Sequence, residues 1–310
     1  MIMKSISVII PVFNEIGSLP ELIRQLKVAL TPYDKREVIF IDDGSTDGSA
    51  EYLEDLSRPD NDIVVIRFYR NYGKSAALAE GFKYANGDYV VTMDADLQDD
   101  PSEIANLINK LEEGYDLVSG WKKTRHDPWT KRWPSKVANF ITRLMTGVKI
   151  HDMNCGLKIY RQTVVKTLDL YGGRHRYIPA LAGQKKFTVG ELVVNHRSRK
   201  YGISKYGGGR LFHGFFDLLT ILFLNRYTQQ PLHLFGLFGL MFIVSSLALE
   251  CLAVYYKLIL GHSFQTHFAL IVFGAMVFVL GLWFFSIGLI AEMISAGQQG
   301  QEDRVKAIIK

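Results

Sequence analysis

Asp94 and Asp96 stand one residue apart at the end of an apolar run, residues 89–93, and are followed by Gln98 and Pro101. Two carboxylates at the mouth of a buried strand add nothing to packing. They suit a divalent cation, because Mg²⁺ and Mn²⁺ favour oxygen ligands and commonly share themselves between carboxylates and substrate phosphates. Two other apolar runs end in a similar way, one in Pro11, Asn14 and Glu15, the other in Asp42, Asp43, Gly44, Ser45 and Asp47. The Asp-Asp-Gly-Ser turn is a weak signal alone, since Asp and Gly make turns everywhere. Its place on the same edge as Asp94 turns it into a ligand candidate. Asp99 or Asp100, just before Pro101, is expected to do no more than cap a helix.

These residues need a scaffold that brings strand ends together. Apolar β-type runs occur at 6–10, 38–41, 63–68, 89–93 and 117–119, with helix-period segments at 19–30, 48–56, 74–84 and 101–113 between them. Such alternation predicts an α/β fold, a Rossmann-like, mainly parallel, doubly wound sheet with helices on both faces. Ligands of such sheets bind beyond the carboxyl ends of the strands. No G-x-G-x-x-G loop is present, which argues against a dehydrogenase.

Charge changes abruptly along the 310 residues. Between Gln229 and Gly300 the only formally charged residues are Glu250, Lys257 and Glu292. Two stretches there, 232–256 and 268–290, are long enough to cross about 30 Å of hydrocarbon at about 1.5 Å per residue. They read as a two-helix transmembrane hairpin. Arg197, Arg199, Lys200, Lys205, Arg210 and Arg226 precede it, and Arg304, Lys306 and Lys310 follow it, whereas the connecting loop offers only Lys257. That bias places the large domain in the cytoplasm. The net charge of +5 gathers beside apolar spans, so anionic headgroups, not nucleic acid, are the expected partner. Residues 134–146 and 210–227 are amphipathic at helical spacing, and the second, beside a span and rich in Phe, reads as an interfacial helix. Glu250 and Glu292 lie toward helix ends, which suits an interfacial or inter-subunit role. Cys155 and Cys251 fall on opposite sides of the break, so no disulfide is expected. The short N-terminal apolar run continues into a strand and Pro11, so no signal peptide is expected.

Three motifs in order, Val8-Ile9-Ile10-Pro11-Val12-Phe13-Asn14-Glu15, Ile41-Asp42-Asp43-Gly44-Ser45-Thr46-Asp47 and Asp94-Ala95-Asp96-Leu97-Gln98-Asp99, resemble the family-2 glycosyltransferases of the GT-A fold. With the two spans, the chain resembles the polyisoprenyl-phosphate glycosyltransferases, the group that includes bactoprenol glucosyltransferases and dolichol-phosphate mannose synthases. The resemblance implies transfer of one hexose from a nucleotide diphosphate, with UDP-glucose as the suggested donor, to a polyprenyl phosphate such as undecaprenyl phosphate, with inversion. It implies that Pro11, Glu15, Asp42 and Asp43 hold the nucleoside, and that Asp94, Asp96 and Gln98 hold Mg²⁺ or Mn²⁺ and the diphosphate. It also implies that Asp152 is catalytic beside Asp96, and that Lys122, Arg132, Ser135 and Arg199 meet the acceptor phosphate. A homo-oligomer, a tetramer, and residence in the inner membrane follow from the same resemblance. The organisation it implies is a GT-A domain at 1–200, an interfacial helix at 201–230, two transmembrane helices at 231–292 and a cytoplasmic tail at 293–310.

One departure is that Gly120 is followed by Trp121 and Lys122, where many relatives carry Arg. Lysine keeps the charge but lacks the bidentate fork. The acceptor phosphate already carries most of its second charge at neutral pH, its second pKa being about 6, so Asp152 has less to do as a base than as an orienting group. Lys131, Lys136 and Lys205 are the basic residues expected to meet lipid headgroups generally. The alternatives are a glycosyltransferase acting on another lipid, such as diacylglycerol or ceramide, a processive polysaccharide synthase, and a non-catalytic membrane scaffold. A processive synthase requires Gln-x-x-Arg-Trp, and here Arg132-Trp133 is preceded by Trp129.

Overall fold

The computed structural model describes residues 4–123, 143, 147–197 and 231–298, which fall in two compact units divided between Leu219 and Thr220. In the first unit seven strands, β1 (Ile6–Val12), β2 (Arg36–Asp42), β3 (Ile63–Arg67), β4 (Tyr89–Thr92), β5 (Leu117–Trp121), β6 (Lys158–Arg161) and β7 (Val189–Val193), form one sheet in the order β3-β2-β1-β4-β6-β5-β7. Its helices are α1 (Leu19–Leu30), α2 (Ser49–Ser57), α3 (Lys74–Tyr84), α4 (Ile104–Glu112), α5 (Gln162–Thr167) and α6 (Ile178–Gln184).

Alternation along β1 explains the layering. Ile6, Val8, Ile10 and Val12 share one buried cluster with Leu19, Leu22 and Leu26 of α1 and Leu107 and Leu111 of α4. Ile9, pointing the other way, packs with Ala77, Leu78 and Phe82 of α3. A strand covered on both faces must be apolar at every position, as β1 nearly is. The buried positions of α1, Leu19, Leu22, Ile23, Leu26 and Leu30, recur at the three- and four-residue spacing of one helical face.

Register aligns the functional edge. Val12 of β1 lies opposite Asp42 of β2. Thr92 of β4 lies opposite Ile9, and the Met93 N–H still donates to the Ile9 carbonyl at 3.2 Å. Asp94 therefore leaves the sheet beside the carboxyl end of β1.

The expected strands and helices are present, with two added strands, two added helices, α5 and α6, and one refinement. Lys158–Arg161 runs antiparallel to both β4 and β5, and Val189–Val193 pairs parallel with β5. Four residues of mixed polarity carry no periodic signal, so β6 is decided by its neighbours. The expected helix over 101–113 begins as a tight turn, Pro101–Glu103, before α4.

The second unit contains α7 (Pro231–Leu258) and α8 (Phe268–Gln298), both long and apolar enough to cross a membrane. Leu237, Met241, Trp283 and Met293 stay exposed, which water does not reward but lipid does. Close approach of the two helices centres on Gly239 and Gly281, where an added Cβ at Gly239 would lie 2.9 Å from the Gly281 carbonyl oxygen. Ser246 Oγ donates to the Gly274 carbonyl at 2.8 Å, and the Glu292 carboxylate accepts the Leu232 N–H at 3.1 Å. Glu292 thereby satisfies a backbone donor at the start of α7, a group that has no partner within its own helix. Glu250 rests against Gly274, where a Cβ would meet its Oε1 at 2.5 Å. The amphipathic segments 134–146, apart from residue 143, and 210–227 lie outside the described residues, as does the tail beyond 298.

The turn after β2 depends on Gly44, whose φ is +74° and whose missing Cβ would meet the Arg70 carbonyl carbon at 2.6 Å. Gly44→Ala is expected to destabilise the domain by at least about 2 kcal/mol, combining left-handed strain with a backbone clash; thermal unfolding of the purified full-length protein measures it.

Candidate active site at the strand edge

The edge is built from three strand ends whose carboxylates have different partners. Asp42, fully buried, accepts from the Ser45 N–H at 3.3 Å. Asp43 accepts from the N–H groups of Tyr72 and Gly73 at 2.7 and 2.9 Å. Burial raises the Asp43 pKa, and those two donors oppose the rise. Asp43 thus anchors the loop that leads into α3. Pro11 sits in β1 opposite Ile41. Glu15 starts the turn into α1: its N–H donates to Ser49 Oγ at 3.0 Å, and its carbonyl accepts from the Ser18 N–H at 3.0 Å.

Asp94 is the centre of the charge pattern. Its Oδ1 accepts a short hydrogen bond from the Lys74 ammonium, with about a third of the carboxylate side chain still exposed. Burial opposes its ionisation, yet the charges of Lys74, Lys122 and Lys158 overrule that cost and hold the Asp94 carboxyl down at about 2. Asp96 is 7% exposed and accepts the Gln98 N–H at 3.1 Å, a bond that closes the turn in which Leu97 takes a φ of +62°. The Gln98 carbonyl accepts from the Arg197 N–H at 3.0 Å. Asp94 and Asp96 supply hard oxygen donors, and the chain keeps room for them. A Cβ on Gly156 would lie 2.6 Å from Asp94 Oδ2 and 2.9 Å from Asp99 Oδ2. Among the described residues no cluster of three or more His, Cys, Asp and Glu is poised as a complete metal cage. Two carboxylates with open positions fit a cation completed by substrate oxygens.

Of the two cap candidates before Pro101 the structure selects one. Asp100 is the cap, accepting from the Ser102 N–H at 3.0 Å. Asp99 instead is buried, accepts the Asp94 N–H at 3.2 Å and pairs with Lys122 at 2.8 Å. Lys122 loses stability of its charge through burial, but Asp99, Cys155 and Asp94 more than restore it and raise its pKa. Lys122 therefore has an internal partner. Asp152 is 2% exposed; its Oδ1 accepts the Asn154 N–H at 3.2 Å, and its carbonyl accepts from Ser119 Oγ at 3.3 Å. Arg132, Ser135 and Arg199 lie outside the described residues, together with Lys131, Lys136 and Lys205.

A small cavity behind Asp94 is lined by residues that had no separate signal, among them Lys74, Thr92, Gly156, Lys158 and His175. Lys158 donates to the Cys155 carbonyl, and burial lowers its pKa. Burial pushes the Cys155 thiol up to about 12, which leaves it inert. His175 Nδ1 lies 2.9 Å from Ser75 Oγ; burial, then Lys74 and Arg176, push its pKa down to about 3.

The profile of the family described as "Glycosyl transferase family 2" matches residues 7–169. A dodecaprenyl-phosphate galacturonate synthase of Rhizobium johnstonii is 36% identical over 296 residues, which cover 94% of this chain and 87% of the relative. The chain belongs to glycosyl transferase family 2. An undecaprenyl-phosphate 4-deoxy-4-formamido-L-arabinose transferase of Pseudomonas syringae pv. syringae is 36% identical over 293 residues, 94% of this chain and 86% of that protein. Among solved structures, glucosyl-3-phosphoglycerate synthase from Mycobacterium tuberculosis in complex with Mn²⁺ and UDP-glucose superposes with a TM-score of 0.56 at 19% identity, covering 72% of this chain and 79% of that one. Its UDP complex gives a TM-score of 0.57 at 20% identity, over 71% and 80%. This likeness identifies the first unit of the family-2 chain as a GT-A fold, as its motifs implied.

Asp99→Asn removes the only charge paired with Lys122 within 4 Å among the described residues. An uncompensated buried ammonium is expected to cost about 3–5 kcal/mol, read as a lowered denaturation midpoint. His175 makes a second prediction. Its folded pKa, about 3, lies below the ordinary value of 6.5, so the unfolded chain takes up the proton first. Stability should fall as pH drops from about 6.5 toward 3, by up to about 1.4 kcal/mol per pH unit from this group. Its imidazole resonances should stay constant between pH 8 and 5, checked by NMR with a His175→Asn assignment variant.

Proposed function

We propose that this family-2 glycosyltransferase moves a single hexose from a nucleoside diphosphate to a polyprenyl phosphate, with inversion at the anomeric carbon. The observation that carries the reading is the Asp94–Asp96 pair on the strand edge in a chain that also holds two helices long and apolar enough to span a bilayer. The galacturonate synthase and the formamido-arabinose transferase, whose names specify dodecaprenyl and undecaprenyl phosphate, support the acceptor class.

In this reading Pro11, Glu15, Asp42 and Asp43 define the nucleoside side of the edge, with Asp43 acting mainly by holding the 70–73 loop. Asp94, Asp96 and Gln98 hold a divalent cation, Mg²⁺ or Mn²⁺, which when bound neutralises the charge that develops on the departing nucleotide. Asp152, buried and braced through Asn154, orients the acceptor oxygen, because a phosphate monoester needs little activation at neutral pH. Arg132, Ser135 and Arg199 supply the acceptor's counter-charge, while Lys122, tied to Asp99, contributes its field. The two apolar helices cross the inner membrane with the catalytic domain in the cytoplasm, consistent with the basic flanks. A tetramer is the assembly that family resemblance suggests.

UDP-glucose is the proposed donor. The named relatives carry galacturonate and formamido-arabinose instead, so the test is a panel. Purified full-length protein is incubated with undecaprenyl phosphate, Mg²⁺ and radiolabelled UDP-glucose, UDP-galacturonate or UDP-4-deoxy-4-formamido-L-arabinose, and the lipid is extracted. Label on the polyprenyl phosphate as one sugar per chain is expected. Label on diacylglycerol or ceramide, a polymeric product, or inertness with every donor would overturn the acceptor assignment. Asp94→Asn or Asp96→Asn should lower kcat/KM at least about 10³-fold, the loss of several kcal/mol of transition-state stabilisation.

A further inference from the structure

Lys74 stands where no motif pointed. It is the first residue of α3, and both of its neighbours are anchored. The Gly73 N–H is held by Asp43 at 2.9 Å. Ser75 Oγ lies 2.9 Å from His175 Nδ1 and accepts the His175 N–H at 3.1 Å. From this fixed stem the ammonium reaches Asp94 Oδ1. The two side chains are 25% and 32% exposed, so ligands in solution can reach the pair.

That oxygen belongs to the carboxylate proposed to hold the cation. A lysine ammonium and a divalent cation compete for that oxygen, since like charges a few Å apart in a partly buried site repel strongly. A cation that takes Asp94 Oδ1 therefore displaces Lys74 from it. The ammonium then stands next to a cation completed by donor oxygens, and an anion of the donor is the natural new partner.

We infer that Lys74 is a positioning residue that couples cation and donor binding: it neutralises Asp94 until the cation arrives, then exchanges that carboxylate for an anionic group of the nucleotide sugar. The inference rests on the proposed reading of Asp94 as a cation ligand and a nucleotide sugar as donor. The shared chemistry is an anion, supplied by the diphosphate or by a carboxylate on the sugar. The diphosphate is the assignment made here, because the cation brings it to Asp94 whatever the sugar. The coupling is reciprocal: whatever factor the donor adds to cation affinity, the cation adds to donor affinity.

The test is Mn²⁺ binding by full-length protein, read from the EPR signal of free Mn²⁺, without nucleotide and with UDP, UDP-glucose or UDP-galacturonate. Lys74→Met is expected to bind Mn²⁺ about tenfold more tightly without nucleotide, having lost the competing ammonium. It should also lose most of the tightening that UDP gives the wild type, a factor on the order of 5–150 for coupled sites. Lys74→Arg keeps the charge and should keep both competition and coupling, which separates the role from packing. An effect present with UDP alone supports the diphosphate; an effect confined to UDP-galacturonate overturns that assignment in favour of the sugar carboxylate. Weaker or unchanged Mn²⁺ binding by Lys74→Met, while Asp94→Asn abolishes it, overturns the coupling role. Unchanged Mn²⁺ binding by Asp94→Asn overturns the reading of Asp94 itself.

Discussion

A carboxylate at the end of a buried strand must be compensated, and this requirement organises the domain around Asp94. Burial works against its charge, and three lysines from three different elements reverse the balance: Lys74 on α3, Lys122 after β5 and Lys158 on β6. Their own surplus is limited by Asp99, which holds Lys122 and the Asp94 backbone together. Removing Asp99 would leave the Lys122 ammonium without its paired carboxylate, so the cluster bears on local stability as well as on charge.

The apolar hairpin solves the opposite problem. Two helices long and apolar enough to cross a membrane offer each other few polar groups, so their contact relies on close backbone approach and a few internal polar bonds. Gly239 and Gly281 provide the approach; Phe284 packs among Phe235, Phe238 and Phe242. Ser246 and Glu292 spend their hydrogen bonds on backbone groups of the hairpin. The two acidic residues that drew attention in the spans thus have contacts within the hairpin itself.

Much of the fold was legible from periodicity. The runs around Ile6–Val12 and Arg36–Asp42 are apolar on both faces, as central parallel strands must be, and α1 repeats its apolar residues at helical spacing. The edge carrying Asp42, Asp43, Asp94 and Asp96 followed from the same alternation, because acidic residues at strand ends stand out against apolar runs. The strand Lys158–Arg161 was not legible, since its direction is set by the two strands that flank it. Which of Asp99 and Asp100 is the cap was not legible, because local spacing before Pro101 suits either aspartate; only burial and the partner Lys122 separate Asp99 from Asp100.

The sequence by itself determined the α/β layering, the acidic strand edge, the two apolar spans and, through its motifs, family membership. These properties are written in short-range patterns: periods of two and about 3.6 residues, apolar runs of sufficient length, and carboxylates at their ends. Only the tertiary structure decided which charges face one another. Lys74 lies 20 residues from Asp94, and His175 lies 100 residues from Ser75. No local pattern encodes such encounters, because they arise when the sheet closes and burial forces each charge to find its partner.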